Sequence, residues 1–322
     1  MGDDQLPSAP MRALVLSNML PDMAHPERGR FVRDQVDALR ALGEWDVELY
    51  EFAPGAYALA GAARDLRRRY AGERFDVVHA HFGLTAWPAL AVKARCRALT
   101  VHGTDIRHPR TRLATRAVLP TVGLLAAVSE ALVQELPGAR ARARAQVLPC
   151  GVDTERFRPI PRAQARAELG LDPHGPYLLF PADPSRPEKR YDRAAALAES
   201  VGARLLTLGG VDPQRVPLYV NAANAVLVPS EREGFGLAVL EALACDVPVL
   251  ATPVGIHGEA LEGLAGNLCA PFDPERWRGA LEPHVAAGDL RVAGRARAER
   301  FSARRMAERV TSAWRSLLAD AG

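Results

Sequence analysis

Two glutamates bracket a glycine-containing turn in the stretch EREGFGLAVLEAL, residues 231–243. Glu233 stands just before Gly234-Phe-Gly236, and Glu241 follows about two turns into the predicted helix. The glycines let the backbone approach a ligand, and the free N–H groups of a helix start favour an anion such as a diphosphate. Glu241 could accept a hydrogen bond from a sugar or ribose hydroxyl. The competing interpretation is that Glu233 caps the helix and Glu241 is solvated.

A cationic cluster follows another predicted strand, in PSRPEKRYD, residues 184–192. Arg186, Lys189 and Arg190 lie where a helix is predicted to begin. Cations at a helix N-terminus oppose the helix dipole, so this arrangement costs stability unless an anion is bound there. An ordinary solvated run of charges is the alternative.

Histidines mark the ends of two strands in the first half of the chain. His102 follows the strand ALTV directly, and His79 and His81 lie in the strand DVVHAH. The carboxyl ends of parallel strands are where ligands bind, so His102 is expected to face a ligand, with a purely structural histidine as the alternative. His79 and His81 share a strand face, but no third residue has metal-ligand spacing, so we expect no metal site.

Gly29 lies in the loop between the first strand and its helix. This loop is where a doubly wound fold admits phosphate. A glycine chosen only for turn geometry is a strong alternative.

The elements that position these residues alternate along the chain from Arg12 onward. Near-continuous apolar strands separated by helices indicate parallel sheets covered on both faces. The alternation pauses at CGVDTERFRPIP, residues 150–161, which we interpret as a linker. We predict an α/β protein with two Rossmann-like, doubly wound parallel-sheet domains facing a cleft. The domains span residues 11–150 and 151–302, and a helix at 303–320 crosses back to the first domain.

Composition limits the class of protein. The 322 residues are 48% hydrophobic and 25% charged, with a net charge of +3, which gives no large basic field for nucleic acid. The four cysteines form no CxxC pair and lie in or near apolar runs, which indicates free thiols in a reducing compartment. The N-terminus does not read as a signal peptide, and no apolar run is long enough for a spanning helix. We expect a cytoplasmic protein.

Taken together, these loops resemble the retaining glycosyltransferases of family four, which have the GT-B fold. The resemblance runs from about Met11 to the C-terminus, and its most specific piece is PSEREGFGLAVLEALACDVPVLATPVG, which is similar to the E-x7-E signature of that family. Weaker pieces support it by their order and spacing: GRFVRDQVDAL, DVVHAHFG, TVHGTD, AVSEAL, VLPCGVDTERFRP and RPEKRYD.

The resemblance implies a role for each candidate residue. Glu233 and the amides of Gly234, Phe235, Gly236 and Leu237 would meet the transferred sugar and the diphosphate, and Glu241 would hold the ribose. Lys189 would neutralise the diphosphate, with Gly29 nearby. His102 would lie over the donor sugar, and His81 and Asp105 would lie on the acceptor side. The family needs no metal and no cofactor besides the nucleotide-sugar donor.

The sequence also departs from the family pattern. Asp183 and Pro184 occupy the places of the usual Gly-Arg, and Arg190 and Asp246 each replace a common glycine. Whether Arg186 takes over the phosphate contact stays open at this point. The second domain also lacks a strand and helix that the family usually has after LLTLGG.

The predicted function is therefore sugar transfer from a nucleotide-diphosphate sugar to a hydroxyl group of a glycan or lipid-linked acceptor. The alternatives are a non-catalytic nucleotide-sugar binding protein and a GT-B epimerase or phosphorylase. Peripheral membrane contact through RDLRRRY (64–70) and ARARAR (139–144) is a lesser hypothesis, and exposed helices in an arginine-rich protein are the simpler interpretation.

Overall fold

The computed structural model describes residues 10–23 and 25–321, and the chain forms two compact units. The first unit holds the described residues within Met1–Leu20, Phe31–Leu148 and Met306–Gly322, and the second holds those within Pro21–Arg30 and Pro149–Arg305. The predicted domain boundary at residue 150 thus lies two residues from the division in the structure. Residues 21–30 were assigned to the first domain from the sequence, but they group with the second unit.

A parallel sheet forms the centre of the first unit, and its described strands run in the order β2-β1-β3-β4-β5-β6. These strands are β1 (Met11–Ser17), β2 (Trp45–Glu51), β3 (Arg74–His81), β4 (Lys93–Val101), β5 (Leu124–Ala127) and β6 (Gln146–Val147). The core strands β1 and β5 are apolar over most of their length and buried on both faces. This burial matches the apolar runs that predicted them.

Helices pack around this sheet. They are α1 (Arg30–Ala41), α2 (Ala56–Arg69), α3 (Ala86–Ala89), α4 (Thr104–Arg107), α5 (Pro109–Val118), α6 (Glu130–Glu135) and α7 (Ala139–Arg144), together with the part of the last helix from Met306 onward. In α1 the apolar face of Val32, Val36 and Leu39 is buried. Gly43, at φ +71°, follows the helix end, where a left-handed residue stops a helix without strain.

Residues 84–95 have a local helical pattern in the sequence, but the structure is helical over only part of this segment. Only Ala86–Ala89 is helical, and the chain returns to the sheet at Lys93. Lys93 and Ala94 pair in register with Arg74 and Phe75 of β3, so tertiary pairing overrides the local helical pattern.

The second unit contains another parallel sheet, with its described strands in the order β11-β10-β9-β7-β8. Its strands are β7 (Tyr177–Phe180), β8 (Arg204–Thr207), β9 (Ala225–Val228), β10 (Val249–Ala251) and β11 (Leu268–Cys269). Its helices are α8 (Arg162–Glu168), α9 (Tyr191–Ser200), α10 (Val216–Ala222), α11 (Leu237–Ala244), α12 (His257–Leu261), α13 (Pro274–Ala286) and α14 (Arg295–Glu299).

The core of this unit lies between the central strands and the helices α9 and α13. Leu178, Phe180 and Leu227 pack there with Leu197 and the fully buried Trp277. Both sheets and their helical cover confirm the predicted fold class of two α/β parallel-sheet domains.

Strand order reverses once in each sheet, which identifies where ligands can bind. The reversal lies between β1 and β3 in the first sheet and between β7 and β9 in the second. In open α/β sheets, ligands bind outside the carboxyl ends of the strands at such a switch point. The loop after β7 carries Lys189, and the loop after β9 carries Glu233. The loop after β1 carries Gly29.

The last helix, α15 (Ala303–Ala319), belongs to the first unit from Met306 onward. Trp314 is fully buried, and its ring meets Trp45 edge-on with 4.9 Å between the ring centroids. Its indole N–H donates to His79 Nδ1 at 3.1 Å. No helix in residues 10–23 and 25–321 is long and apolar enough to cross a membrane.

Candidate active site

Lys189 and Glu233 meet at the switch point of the second sheet. Lys189 Nζ lies 2.7 Å from Glu233 Oε1 and 2.6 Å from Oε2, so the ammonium contacts both carboxylate oxygens. Their side chains are only 15% and 7% exposed. Ser230 Oγ donates to Glu233 Oε1 at 2.8 Å. The sequence left open whether Glu233 caps the following helix, but its carboxylate instead forms this ion pair.

The loop after β10 contacts and stabilises the turn that carries Glu233. Thr252 Oγ1 donates to the carbonyl oxygen of Ser230 at 2.5 Å, and Ile256 N donates to that of Phe235 at 2.8 Å. Gly255, at φ +58°, packs so closely that a Cβ there would overlap Phe235 O. The loops after β9 and β10 therefore form one interlocked structure.

His257 packs against Gly236, at the end of the turn formed by residues 234–236. Its Nδ1 donates to the carbonyl oxygen of Thr252 at 2.8 Å, so Nε2 carries the lone pair of the neutral ring. Burial lowers the pKa of His257 below its usual value. A Cβ on Gly236 would overlap His257 Nε2, and Gly236 itself is at φ +101°. Both observations require glycine at position 236.

Helix α11 begins directly after Gly236, and no side chain caps it. The amides of Leu237 and Ala238 have no hydrogen-bond acceptor in the described part of the chain, as expected for the first turn of a helix. Leu237, Ala238 and Glu241 are its only partly exposed residues, so they share one face. Glu241 lies one turn, not two, from the helix start, on the same face as these free amides.

The loop after β7 is tied to the loop after β9 on the side of Lys189. Glu231 N donates to the carbonyl oxygen of Glu188 at 2.9 Å, and the Arg190 guanidinium bonds to both Glu231 and Asp192. Arg190 is left-handed at φ +58° and separates a 3-10 turn at Pro187–Lys189 from α9. The helix predicted to begin within this cationic cluster therefore begins only at Tyr191, directly after Arg190.

Arg186 does not join Lys189 in the ion pair with Glu233. Its guanidinium bonds to Glu188 Oε1 at 2.7 and 3.0 Å, and its side chain is 54% exposed. Asp183 accepts a hydrogen bond from Ser185 N at 2.8 Å. A phosphate contact by Arg186 would compete with Glu188.

A second cluster of candidate residues lies in the first unit, at the end of β4. The Asp105 carboxylate accepts hydrogen bonds from the amides of His102, Gly103 and Gly83, at 3.1, 2.8 and 3.2 Å. The His102 ring lies between Phe31 and Phe82, with ring centroids 4.9 and 4.6 Å away. These contacts fix the loop and the plane of the His102 ring.

His81 and Asp105 were predicted to lie on the acceptor side, and their burial argues against direct contact with an acceptor. His81 is fully buried and Asp105 is 3% exposed. Burial also raises the pKa of the Asp105 carboxyl. Both side chains instead support His102, which is the partly exposed member of the group.

Gly29 groups with the second unit and is buried at φ +69°, a conformation that favours glycine. Among the residues that the structure describes, no group of three His, Cys, Asp or Glu side chains could hold a metal ion. The described cysteines are free thiols, with Cys96 and Cys245 buried and Cys150 and Cys269 half-buried.

Sequence reasoning missed three residues of this site: Ser230, Thr252 and His257. Ser230 and Thr252 follow the carboxyl ends of neighbouring strands, so the rule applied to His102 would have found them. His257 lies at the start of α12 with no local signal, and only the close approach of two loops shows its importance.

Family models match most of the chain. Residues 19–156 match the model described as Glycosyltransferase Family 4, and residues 182–300 match the model described as Glycosyl transferases group 1. A D-inositol 3-phosphate glycosyltransferase of Frankia alni is 31% identical, over 87% of this chain and 84% of the relative. The enzyme of the same name from Segniliparus rotundus is 30% identical, over 76% of this chain and 67% of the relative.

Solved structures share the fold at low sequence identity. Sucrose-phosphate synthase from Thermosynechococcus elongatus superposes with a TM-score of 0.73 at 20% identity, covering 96% of this chain and 100% of that one. HepE from Anabaena, in complex with UDP and glucose, gives a TM-score of 0.67 at 16% identity, covering 95% of this chain and 100% of that one.

Proposed function

Because the chain belongs to the glycosyltransferases of family four, we propose that it transfers a sugar from a nucleotide-diphosphate sugar to a hydroxyl acceptor with retention of anomeric configuration. The protein is a glycosyltransferase with the GT-B fold. The observation that carries the proposal is the Lys189–Glu233 pair beside the uncapped start of α11.

The chemistry of the leaving group supports this assignment. Breaking the anomeric bond leaves negative charge on the nucleoside diphosphate. Fixed N–H donors stabilise that charge in the transition state, because they are already oriented when it develops. The amides at the start of α11 and the third N–H of Lys189 are such donors, since two of its N–H groups face Glu233. Glu241, on the same face of α11, is proposed to hold the ribose.

Glu233 has a second role in this proposal. Its carboxylate offsets the charge of Lys189 when no donor is bound, and Ser230 fixes its orientation. Binding of the diphosphate would let Lys189 share its charge with phosphate, which frees one carboxylate oxygen of Glu233 for a sugar hydroxyl. Retention then follows if the departing phosphate oxygen deprotonates the acceptor on the same face of the sugar.

The comparisons suggest which substrates to test first. The relatives are named for D-inositol 3-phosphate, and the HepE structure contains UDP and glucose. We propose a UDP-sugar as donor and a phosphorylated polyol as acceptor, with glycan and lipid-linked hydroxyl acceptors as the other class to test.

Turnover of UDP-, GDP- and ADP-sugars with inositol 3-phosphate and with glycan acceptors tests the proposal. Lys189→Met should lower transfer by about 10²- to 10³-fold, the loss typical of one transition-state donor. Lys93→Met is the matched control, because Lys93 is the other lysine of the chain and lies exposed at the start of β4. Unchanged transfer by Lys189→Met would refute the site.

The same assay distinguishes a glycosyltransferase from a non-catalytic nucleotide-sugar binding protein. A nucleotide sugar that raises the melting temperature of the protein, yet is neither transferred nor hydrolysed with any acceptor, would favour that function. An epimerase would convert the donor without an acceptor.

A further inference from the structure

A chain of hydrogen bonds runs through the first unit from α1 to His102. Gln35 Nε2 lies 3.3 Å from His81 Nε2, and His81 Nδ1 lies 2.9 Å from His102 Nε2. Gln35 is 7% exposed and His81 is fully buried, so water does not replace these contacts. The His81 and His102 rings are stacked with 5.1 Å between their centroids.

The Gln35 amide determines which nitrogen donates and which accepts at each step of this series of hydrogen bonds. An amide nitrogen only donates, so His81 Nε2 must accept from Gln35. A neutral imidazole carries one proton, so His81 Nδ1 then holds it and donates to His102 Nε2. His102 Nε2 is thereby an acceptor, and the remaining proton of its ring belongs on Nδ1.

A separate series of hydrogen bonds satisfies both ring nitrogens of His79, whose ring stacks on that of His81. The indole N–H of Trp314 donates to His79 Nδ1, and His79 Nε2 donates to Thr100 Oγ1 at 2.8 Å. His79 therefore needs no hydrogen bond from His81, although their rings are stacked with 4.9 Å between the centroids. Burial lowers the pKa of His79 and of His102 to about 3, and that of His81 well below its usual value. All three rings are neutral near pH 7.

His102 Nδ1 has no hydrogen-bond partner among the described residues and is not one of the fully buried polar atoms. Phe31 and Phe82 hold the ring on either side. We infer that Gln35 is a positioning residue that, through His81, fixes His102 as the Nδ1–H tautomer. His102 then presents a hydrogen-bond donor to bound substrate, and it does not act as a base. The contact with substrate rests on the proposed function, whereas the tautomer does not.

Nitrogen NMR of histidine-labelled protein without substrate tests the tautomer directly. The His102 signals are assigned by their loss in His102→Ala. In the wild type they should have the pattern of an Nδ1–H imidazole. In Gln35→Leu, which removes the amide donor, they should move toward a mixture of the two tautomers. An Nε2–H pattern in the wild type, or unchanged signals in Gln35→Leu, would overturn the inference.

Thr100→Val is the matched control. It removes a buried hydrogen bond from the same stack but leaves the Gln35–His81–His102 chain intact, so the His102 tautomer should not change. If the His102 signals change in Thr100→Val as they do in Gln35→Leu, both substitutions act by loosening the stacked histidines in general, and the inference fails.

Turnover gives a second readout for the role of the tautomer. Gln35→Leu should lower transfer by about 5- to 30-fold, as expected when one hydrogen bond to the substrate is lost. Thr100→Val should retain near wild-type transfer. Absence of transfer by the wild type with every donor would refute the proposed function but leave the NMR result standing.

Discussion

Lys189 and Glu233 are both largely buried, so each charge depends on the other. Removing one partner of such a pair leaves an uncompensated charge and costs about 3–5 kcal/mol of stability. Lys189→Met and Glu233→Gln should each destabilise the second unit by this amount. The double variant should recover most of the loss, because no unpaired charge remains, but it should not recover transfer.

Urea unfolding of the four proteins in a double-mutant cycle measures this coupling. Lys93→Met should lie within about 0.5 kcal/mol of the wild type, since it changes an exposed surface lysine. Additive losses in the double variant would contradict the pairing.

Gly236 is the residue on which the shape of the turn depends. Gly236→Ala places a Cβ against His257 Nε2 at a φ of +101°, so either the turn or the histidine must move. We expect nucleotide-sugar affinity to fall at least 10-fold, because the amides at the start of α11 are displaced. Isothermal titration measures this directly. Gly258→Ala, at an open helical position nearby, should bind normally and gain slight stability.

At the scale of elements, β3 and the end of β4 position a stack of three neutral histidines, of which His79 and His81 are fully buried. The pKa of His79 and of His102 is about 3, against about 6.5 in an unfolded chain. The unfolded state therefore binds more protons below pH 6.5, and stability falls as pH decreases from 6.5 toward 3. Above pH 6.5 their contribution is complete.

Between pH 7.5 and pH 5.5 these two histidines should remove about 3 kcal/mol from the free energy of unfolding. His257 and His284, whose pKa values are also lowered by burial, act in the same direction. Urea midpoints at the two pH values measure the effect. His174→Gln, at an exposed position, should keep the same dependence. Equal midpoints at both pH values would show that the pKa of these histidines is not lowered in the folded state.

Most strands and helices could be predicted, because apolar and amphipathic patterns are visible in short stretches of the sequence. The rule that ligands bind at the carboxyl ends of strands then selected Lys189 and Glu233 from the sequence. It could not reveal that Gln35 on α1 reaches His81, or that His257 lies against Gly236. Those contacts depend on how elements far apart in the sequence pack together, and no local pattern encodes them.

At the scale of the whole molecule, the first unit depends on residues from the far end of the chain. Trp314, eight residues from the last residue, is fully buried and bonds to His79. Trp314→Ala should destabilise the first unit by about 3–5 kcal/mol through cavity formation and the lost hydrogen bond. Native-state hydrogen exchange at β1 and β3 amides reports this. Trp87→Ala, at a 43% exposed position, should have a much smaller effect.

The arginine-rich surface is partly structural. In α7, Arg142 donates to Leu136 O, and Arg144 donates to the carbonyl oxygens of Val122 and Leu119. These guanidinium groups satisfy backbone acceptors in their own unit. A peripheral membrane contact would thus depend on the exposed arginines of α2 more than on α7.

Arg190 and Asp246 each combine an unfavourable backbone conformation with several hydrogen bonds. Both adopt left-handed backbone, at φ +58° and +56°. Each strained residue anchors its surroundings, since Arg190 joins Glu231 to Asp192 and Asp246 accepts from the amides of Gly294 and Arg295. Glycine at either position would relax the backbone but release those partners. Either position could therefore accept glycine without loss only alongside compensating changes in the neighbouring segments.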